Sequence, residues 1–296
     1  MSTSLRCSQA STRSMRERIE LTFQVAIRTQ ATLCGPAYSG VMSTALVTGA
    51  TAGIGLSFAH LLAERGHDVV LVARDRPRLE NVSDELRAKY GVGTEILVAD
   101  LSDRAETGKV AERVADRARP VDLLVNNAGY SLKGSFLRHD VTEEEANFDV
   151  LCRAVLVLSH AAGNAMRERG HGAIVNVSSV ASFITAGTYS ANKSYVTVFT
   201  EGLAAELRGS GVTATVLCPG FTHTEFHQRA GVDMSSIPDF MWLDADRLVR
   251  DCLDDVAKGR VLSVPSPQYK AIVAGLRFVP RSLVRRRAGS VHRPGK

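Results

Sequence analysis

Short apolar runs alternate with longer segments of helical periodicity along most of the chain. Each run is four to six residues long and almost wholly apolar, which is typical of strands buried on both faces of a parallel sheet. The runs cover 45–48, 69–73, 95–99, 123–126, 174–178, 213–218 and 261–264. Strands of this kind separated by helices predict a doubly wound α/β fold, with about seven parallel strands and right-handed crossovers.

The segments between these runs carry the pattern of helices. Two of the predicted helices cover 56–64 and 78–89, and each stands between two predicted strands. Another covers 245–257, where Asp244 can cap the first turn and Gly259 follows the end. The chain therefore returns from strand to strand through helices, as a doubly wound sheet requires.

Charge is distributed unevenly along the chain, whose formal net charge is +5. Residues 1–41 carry a net charge of +3 and residues 270–296 carry +8 without an acidic residue, which leaves the central part at −6. A nucleic-acid-binding domain concentrates positive charge on its folded face. We therefore expect no nucleic-acid partner.

Composition divides the chain into three parts. Residues 1–41 are rich in Ser, Thr and Arg, and we predict that they form a disordered extension. Residues 42–264 hold every predicted strand and form the predicted folded domain, and 265–296 form a basic C-terminal extension. Five scattered cysteines without a CxxC pair suit a reducing compartment, so we expect a cytoplasmic protein.

A glycine-rich turn, TGATAGIG at 48–55, lies between the first predicted strand and the first predicted helix. Gly49 permits a tight turn, and Gly53 lets the backbone approach a pyrophosphate. Gly55 lets the helix pack closely on the sheet, so that the amino end of the helix faces the phosphate charge. The strand before and the helix after favour dinucleotide binding over a flexible turn without a ligand.

The end of the second predicted strand bears on which nicotinamide dinucleotide is bound. An acidic residue there would accept hydrogen bonds from the ribose 2′-hydroxyl of NAD. Ala73 holds that place instead, and Arg74 follows it with a guanidinium that can fork onto a 2′-phosphate. We therefore predict a preference for NADP(H), with NAD(H) as the second choice.

Tyr189 and Lys193 open a long helical segment, and their spacing of four residues places both side chains on one face. An ammonium beside a phenol lowers the pKa of the phenol from about 10. Tyr189 could then donate a proton to a carbonyl oxygen or remove one from an alcohol. Ser178 and Ser179 end the fifth predicted strand, and one of these hydroxyls could hold the substrate oxygen.

These features occur with others in a characteristic order. The motifs are TGxxxGxG at 48–55, Asp100 after the third strand, Asn-Asn-Ala-Gly at 126–129, Ser179, YxxxK at 189–193, and Pro219-Gly220 with Thr224. Taken together, they resemble the short-chain dehydrogenase/reductase family, in its branch of roughly 250 residues. The resemblance covers about 42–264, and the joint occurrence of the motifs is highly specific although no single motif is.

The resemblance implies an oxidoreductase that transfers a hydride between NADP(H) and a carbonyl or alcohol, with Ser179, Tyr189 and Lys193 as catalytic residues. It also implies homodimers or homotetramers, formed through two long helices near 142–169 and 189–208. Asn126 would brace the central strands near the adenine ribose. The implied cofactor-binding residues are Gly49, Thr51, Gly53, Ile54, Gly55, Arg74, Asp100, Leu101, Asn126, Ala128, Gly129, Tyr189, Lys193, Pro219, Gly220, Thr222 and Thr224.

The sequence departs from the family pattern at two places. Leu151 stands where the family usually has an asparagine that anchors a water of the proton relay, and Asn147, one turn earlier, is a candidate substitute. The interval from Ser179 to Tyr189 is ten residues, which is shorter than usual and leaves Ser178 open as the alternative serine. Leu151 favours a rival hypothesis, a dinucleotide-binding sensor or scaffold with weak turnover, whereas the retained serine, tyrosine and lysine favour an enzyme.

Residues 221–243 follow the last motif, and we predict that they form a mobile lid over a hydrophobic small-molecule substrate. His223 and His227 lie within it, but the order HTEFH lacks the HExxH arrangement and a third ligand is not evident, so we predict no metal site. The apolar lid residues are Phe221, Phe226, Phe240, Met241 and Trp242.

The basic tail at 268–296 alternates apolar residues with arginines. Three interpretations stay open: a solvated tail, contact with an anionic membrane surface, and docking on the acidic body or on a second subunit. No segment approaches the roughly 18 apolar residues of a membrane-spanning helix.

Overall fold

The computed structural model describes residues 43–226 and 237–276, together with 278, 279 and 282. The strands within these residues are β1 (Thr44–Thr48), β2 (Asp68–Ala73), β3 (Thr94–Val98), β4 (Leu123–Asn126), β5 (Gly172–Val177), β6 (Val212–Leu217) and β7 (Leu262–Ser263). They form one parallel sheet in the order β3-β2-β1-β4-β5-β6-β7. Each strand lies within two residues of its predicted ends, and the predicted doubly wound fold is confirmed.

Helices connect the strands and cover both faces of the sheet. The α-helices of the described residues are α1 (Gly53–Glu64), α2 (Arg76–Tyr90), α3 (Arg104–Ala115), α4 (Val141–Phe148), α5 (Ala154–Arg169), α6 (Gly187–Glu206), α7 (Ala245–Ala257) and α8 (Pro267–Leu276). One π-helical turn, Asp149–Arg153, joins α4 to α5, and 3-10 turns cover Phe136–Arg138, Val180–Phe183 and Asp239–Met241. The long helix predicted near 142–169 is therefore interrupted at residue 151, inside the π-helical turn.

The apolar core has two layers because successive strand residues point to opposite faces. Ala45 and Val47 of β1 belong to the layer covered by α1, α2, α7 and α8, and Leu46 belongs to the layer covered by α3 and α5. All three side chains are fully buried. The alternation explains why the strands are apolar throughout: both faces are covered.

The order of the strands creates a cleft at the carboxyl ends of the two central strands, β1 and β4. β1 pairs with β2 on one side and β4 on the other, so the connections after β1 and β4 leave in opposite directions. Open parallel sheets bind ligands at such a switch point, beyond the carboxyl ends of the strands. The glycine-rich turn after β1 and the Asn-Asn-Ala-Gly segment after β4 meet there.

Helix α8 packs into the core although it lies in the segment predicted as a basic extension. Tyr269 and Val273 are buried in the layer that α1 and α7 cover. The predicted extension at 1–41 and most of the tail beyond 276 lie outside the described residues. Among the described helices, none combines the length and apolar content needed to cross a membrane.

Candidate active site

The turn between β1 and α1 has room for glycine alone at the three predicted positions. Gly49 and Gly53 have φ angles of +67° and +53°, in the left-handed region that favours glycine. A Cβ on Gly55 would overlap the carbonyl oxygen of Gly49. Ala52 precedes α1 without a side-chain cap, so the first amides of the helix are open to a phosphate group. These residues fit a dinucleotide pyrophosphate.

Two residues that sequence reasoning did not assign, Thr48 and Asn127, hold this turn in place. Asn127 Nδ2 donates to the Thr48 carbonyl at 2.9 Å, and the amides of Asn127 and Ala128 donate to Thr48 Oγ1 at 2.9 and 3.0 Å. The ends of β1 and β4 are thereby joined across the switch point. The sequence could have pointed to Asn127, because it belongs to the same Asn-Asn-Ala-Gly motif as Asn126, which was predicted as a site residue.

Asn126 directs its side chain into the core, away from the turn. Its Nδ2 donates to Asn176 Oδ1 at 2.9 Å and to Ser159 Oγ at 3.1 Å, and Asn176 Nδ2 donates to Thr200 Oγ1 at 3.0 Å. This buried network joins β4 and β5 to α5 and α6. The geometry fits the bracing role, and any contact of Asn126 with a cofactor would use its backbone.

Arg74 lies one residue beyond the end of β2, with its side chain 70 % exposed. Its Nη1 is 3.5 Å from Asp100 Oδ2, so two of the predicted cofactor residues lie together at the carboxyl ends of β2 and β3. Burial raises the pKa of Asp100, but hydrogen bonds from Ser102 and the charge of Arg74 outweigh it, and the pKa falls below its ordinary value. Leu101 follows Asp100, and its side chain is buried in the core.

Tyr189 and Ser179 meet at the first turn of α6. The Ser179 hydroxyl lies close enough to the Tyr189 phenol to oppose the rise in the pKa of Tyr189, and it accepts from the Ala181 amide at 3.1 Å. Ser178 is buried instead, where its hydroxyl donates to the Lys193 carbonyl at 2.8 Å and lies 2.8 Å from Thr197 Oγ1. The geometry favours Ser179 over Ser178 despite the short interval to Tyr189.

Lys193 is buried with its Nζ donating to the Val177 carbonyl at 2.8 Å. Its Nζ is 5.8 Å from the centre of the Tyr189 ring. Burial lowers the pKa of Lys193 to about 8, and attraction to the thiols of Cys152 and Cys218 opposes this shift. The ammonium is therefore the main form at neutral pH and is lost in mild alkali.

The expectation that Lys193 gives Tyr189 a lowered pKa is wrong. Burial raises the pKa of Tyr189 to about 12, and the hydrogen bond from Ser179 opposes the rise without overcoming it. The physical reason is the burial of the phenol; the Lys193 ammonium, which donates to the Val177 carbonyl and lies 5.8 Å from the centre of the Tyr189 ring, does not offset it. Sequence spacing shows that two side chains share a face, but it does not show the competing acceptor.

Leu151 fills the space between the Asn-Asn-Ala-Gly segment and α6. It is fully buried, and a Cβ on Gly129 would lie 2.7 Å from its Cδ2 and 3.8 Å from Lys193 Nζ. Asn147, the candidate substitute for the missing asparagine, donates from its Nδ2 to the Tyr130 carbonyl at 3.0 Å and accepts at its Oδ1 from Asn192 Nδ2 at 3.3 Å. Both polar atoms of Asn147 are thus engaged with the loop and with α6.

The segment after β6 passes over the glycine-rich turn and the phenol. Thr224 lies against Gly53, whose Cβ would come within 3.0 Å of it. The rings of Phe226 and Tyr189 are 5.9 Å apart. Thr222 is buried, with its Oγ1 donating to the Gly220 carbonyl at 3.0 Å.

Tyr269 of α8 anchors this segment from behind, a role that sequence reasoning missed. Its ring occupies the space that a Cβ on Gly220 would need. Its hydroxyl accepts from the Phe221 amide at 3.0 Å and donates to the Met241 carbonyl at 2.8 Å. Both ends of the predicted lid are therefore fixed by one buried side chain.

No cluster of three or more His, Cys, Asp and Glu side chains that could hold a metal ion is found among the described residues. His223 stacks on Trp242, with ring centres 4.7 Å apart. His227 and the rest of 227–236 lie outside the described residues.

Comparison with known proteins decides the family. The family model described as short chain dehydrogenase matches residues 43–234. The chain belongs to this family. It is thus an oxidoreductase of the short-chain dehydrogenase type, as the motifs predicted.

Individual relatives agree with this assignment. An uncharacterised oxidoreductase of Staphylococcus saprophyticus is 34 % identical over 183 residues, which are 61 % of this chain and 78 % of that protein. A very-long-chain 3-oxoacyl-CoA reductase of Anas platyrhynchos is 33 % identical over 63 % of this chain and 62 % of its own length. The structure of a short-chain dehydrogenase from Sphingobium yanoikuyae in complex with NADPH is 32 % identical, with a TM-score of 0.73, over 81 % of this chain and 97 % of that chain.

Proposed function

We propose that the chain is an NADP(H)-dependent carbonyl reductase or alcohol dehydrogenase in which Tyr189 is the general acid and base. The observation that carries the proposal is the meeting of three groups at one edge of the sheet: the Tyr189 phenol with Ser179 beside it, the buried Lys193 ammonium, and the uncapped amino end of α1 behind three required glycines. A proton donor and a dinucleotide site are thus adjacent.

Each residue has a distinct task in this proposal. Bound NADPH supplies the hydride. Tyr189 gives a proton to the carbonyl oxygen, and the hydroxyl of the neighbouring Ser179 holds that oxygen beside the phenol. Lys193 keeps a positive charge near the phenol below about pH 8. In the reverse direction Tyr189 accepts the proton of the alcohol.

The proposed role of Arg74 in NADP(H) preference leads to a prediction. We expect Arg74→Ala to raise the KM for NADPH about tenfold or more and to leave the KM for NADH within about twofold, because only a 2′-phosphate needs the guanidinium. Initial rates with both cofactors give this comparison. The control is Arg87→Ala, an exposed arginine on α2 whose guanidinium donates to the Thr94 carbonyl. An equal effect on both cofactors would remove the argument for NADP(H).

The lid supports a hydrophobic substrate. Phe226 lies beside Tyr189, and the Phe221 and Trp242 rings are 5.9 Å apart behind it. An apolar wall next to the proton donor suits a medium or bulky carbonyl compound. The relative named as a 3-oxoacyl-CoA reductase adds β-ketoacyl compounds to the candidates.

The test follows NADPH consumption with a panel of aldehydes, ketones, quinones, steroids and β-ketoacyl thioesters, using wild type beside Tyr189→Phe. If wild type consumes NADPH with a member of the panel and Tyr189→Phe does not, the proposal is supported. If both proteins consume NADPH at equal rates, the proposed role of Tyr189 is overturned. The rival, a dinucleotide-binding sensor or scaffold, is favoured by Leu151 and by the raised pKa of Tyr189. It predicts NADPH binding without consumption on any member of the panel.

We also propose a homo-oligomer formed through the helical segments at 141–169 and 187–206. Apolar side chains stand exposed on them, and Val198 and Leu156 are 68 % and 43 % exposed. A cavity of about 540 Å³ opens beside them, lined in part by Phe148, Arg153 and Tyr195. It includes none of the predicted site residues, so it is better explained by contact between subunits than by substrate.

A peripheral membrane contact and a cytoplasmic location complete the proposal. Phe240 and Phe278 are 71 % and 88 % exposed, and Gln268 Nε2 of α8 donates to the Phe240 carbonyl at 3.2 Å, so lid and α8 adjoin. The segment 270–296 adds a charge of +8. Exposed aromatic rings beside a basic segment suit an anionic bilayer.

The buried cysteines of the described residues are free thiols, in keeping with a reducing compartment.

We expect the full chain to float with anionic vesicles and not with phosphatidylcholine vesicles, and the double replacement of Phe240 and Phe278 by Ser to reduce flotation several-fold. The matched control is Leu137→Ser, an apolar residue that is 87 % exposed elsewhere. Flotation that the double replacement leaves unchanged would contradict the proposed surface.

A further inference from the structure

The loop between β4 and α4 is held by two buried polar side chains of α4. Glu144 and Asn147 are three residues apart, so they share one face of the helix, and they are 8 % and 2 % exposed. The loop begins beside Gly129 and Lys193 at the carboxyl edge of the sheet, where ligands of such folds bind. The loop therefore starts next to the candidate active site.

The near end of the loop is tethered by a group that does not titrate. Asn147 Nδ2 donates to the Tyr130 carbonyl at 3.0 Å, and Asn192 of α6 in turn donates to Asn147 Oδ1. Amide groups keep these hydrogen bonds at every working pH. Residues up to Tyr130 are thus fixed to both α4 and α6.

The far end of the loop is tethered through His139. Its Nδ1 lies 2.6 Å from Glu144 Oε1, and its Nε2 lies 2.8 Å from the Lys133 carbonyl oxygen. A carbonyl oxygen can only accept, so Nε2 must carry a proton. A carboxylate also only accepts, so a second proton must lie between Nδ1 and Oε1. We call this arrangement the histidine clasp: Lys133, His139 and Glu144.

The clasp depends on this second proton. A neutral imidazole can donate from one nitrogen only. Loss of the second proton therefore places an unprotonated nitrogen against either the carboxylate or the carbonyl. Gly134 adds to the geometry, because its φ is +114° and a Cβ there would come within 3.3 Å of Nε2. The backbone can therefore pass close to the ring only at a glycine.

Charges around the ring favour its cationic form. The hydrogen bond to Glu144 raises the pKa of His139 most, the Lys133 carbonyl adds to it, and Glu143 contributes through its charge. The side chains of Lys133, Arg138 and Asp140 are exposed to solvent. A raised pKa means that the clasp is complete at and below neutral pH and is lost as the pH rises through the pKa of His139.

We propose that His139 is a positioning residue whose protonated clasp with Glu144 and Lys133 fixes the loop 131–138 as the substrate-side wall of the cleft. This inference rests on the proposed function for its effect on catalysis, but not for its effect on the loop. Because Asn147 holds Tyr130 independently, opening the clasp releases the substrate end of the loop and leaves the cofactor end in place.

Hydrogen–deuterium exchange tests the clasp without any substrate. At pH 6 we expect the amides of 131–138 to exchange several-fold more slowly in wild type than in His139→Ala, and at pH 9 we expect the two proteins to agree. Comparison at equal pH removes the intrinsic pH dependence of exchange. Glu144→Gln should remove the pH dependence and keep 131–138 protected at both pH values, because the Gln amide can donate to Nδ1 of a neutral imidazole whose Nε2 still donates to the Lys133 carbonyl. Equal exchange in wild type and His139→Ala at pH 6 would overturn the clasp.

Steady-state kinetics tests the effect of the clasp on substrate binding, provided that the chain has the proposed activity. We expect the KM for the carbonyl substrate to rise about fivefold in wild type between pH 6 and 9, and to be high and flat in His139→Ala. The KM for NADPH should change by less than twofold. His160→Gln, an exposed histidine on α5, is the control and should keep the wild-type profile. A wild-type pH profile in His139→Ala would overturn the positioning role, and absence of turnover in every protein would count against the proposed function alone.

Discussion

Replacing Tyr189 with Phe is expected to lower kcat by about a thousandfold, since a positioned general acid contributes about 10²–10⁴ to a rate. The change removes the single proton donor proposed to face the carbonyl oxygen and keeps the ring that packs 5.9 Å from Phe226. Binding of NADPH should change little, because the phenol is not needed to hold the pyrophosphate. Stopped-flow rates and NADPH fluorescence titrations measure the two effects separately.

The matched control for this replacement is Tyr195→Phe, on the same helix. Tyr195 stacks on Phe199 with ring centres 5.8 Å apart and takes no part in the proposed chemistry. We expect Tyr195→Phe to keep kcat within about twofold. If the two variants lose activity equally, the loss reflects disturbance of α6 and not removal of an acid.

Replacing Lys193 with Met is expected to have effects of opposite sign on activity and stability. Turnover should fall about a hundredfold or more, because the charge near the phenol is lost. The free energy of unfolding at pH 7 should nevertheless rise. Burial lowers the pKa of Lys193 from 10.5 to about 8, which corresponds to a cost of roughly 3 kcal/mol for the charged form at about 1.4 kcal/mol per pKa unit. Loss of the hydrogen bond to the Val177 carbonyl offsets about half of this gain.

The stability gain of Lys193→Met has a defined pH dependence. The folded-state pKa lies below the unfolded one, so wild type carries the full cost below about pH 8 and loses it as the pH rises towards 10.5. We expect the variant to melt about 4 °C higher than wild type at pH 7 and the difference to shrink steadily above pH 8. A difference that is constant with pH, or a lower Tm at pH 7, would show that Lys193 is not a buried cation.

The strand pattern and the glycine-rich turn were readable from the sequence because both depend on local chemistry. Apolar runs such as 45–48 are buried on two faces wherever helices separate them, and Gly49 and Gly53 adopt positive φ angles that few other residues tolerate. The fold and the family were predicted from these features and are confirmed. The catalytic and cofactor roles of the individual residues stay predictions.

The sequence could not show contacts between distant segments. The Tyr269 hydroxyl accepts a hydrogen bond from the amide of Phe221, which lies 48 residues earlier in the chain. Nothing in the pattern of the tail marks Tyr269 as an anchor of the lid. The same holds for the Val177 carbonyl, which accepts a hydrogen bond from the Lys193 ammonium, and for the burial of Tyr189, which raises the pKa of its phenol. Leu151 is a departure from the family pattern that the sequence shows, but only the structure shows that its buried side chain packs against Gly129.

The most direct test of the central claim is a crystal structure of the complex with NADP⁺ and an alcohol substrate. The account predicts that Tyr189 Oη lies at hydrogen-bond distance, about 2.6–3.2 Å, from both the substrate oxygen and Ser179 Oγ. It also predicts that the nicotinamide lies beside the phenol. A complex in which Tyr189 Oη points away from the nicotinamide, or in which another side chain contacts the substrate oxygen in its place, would contradict the account.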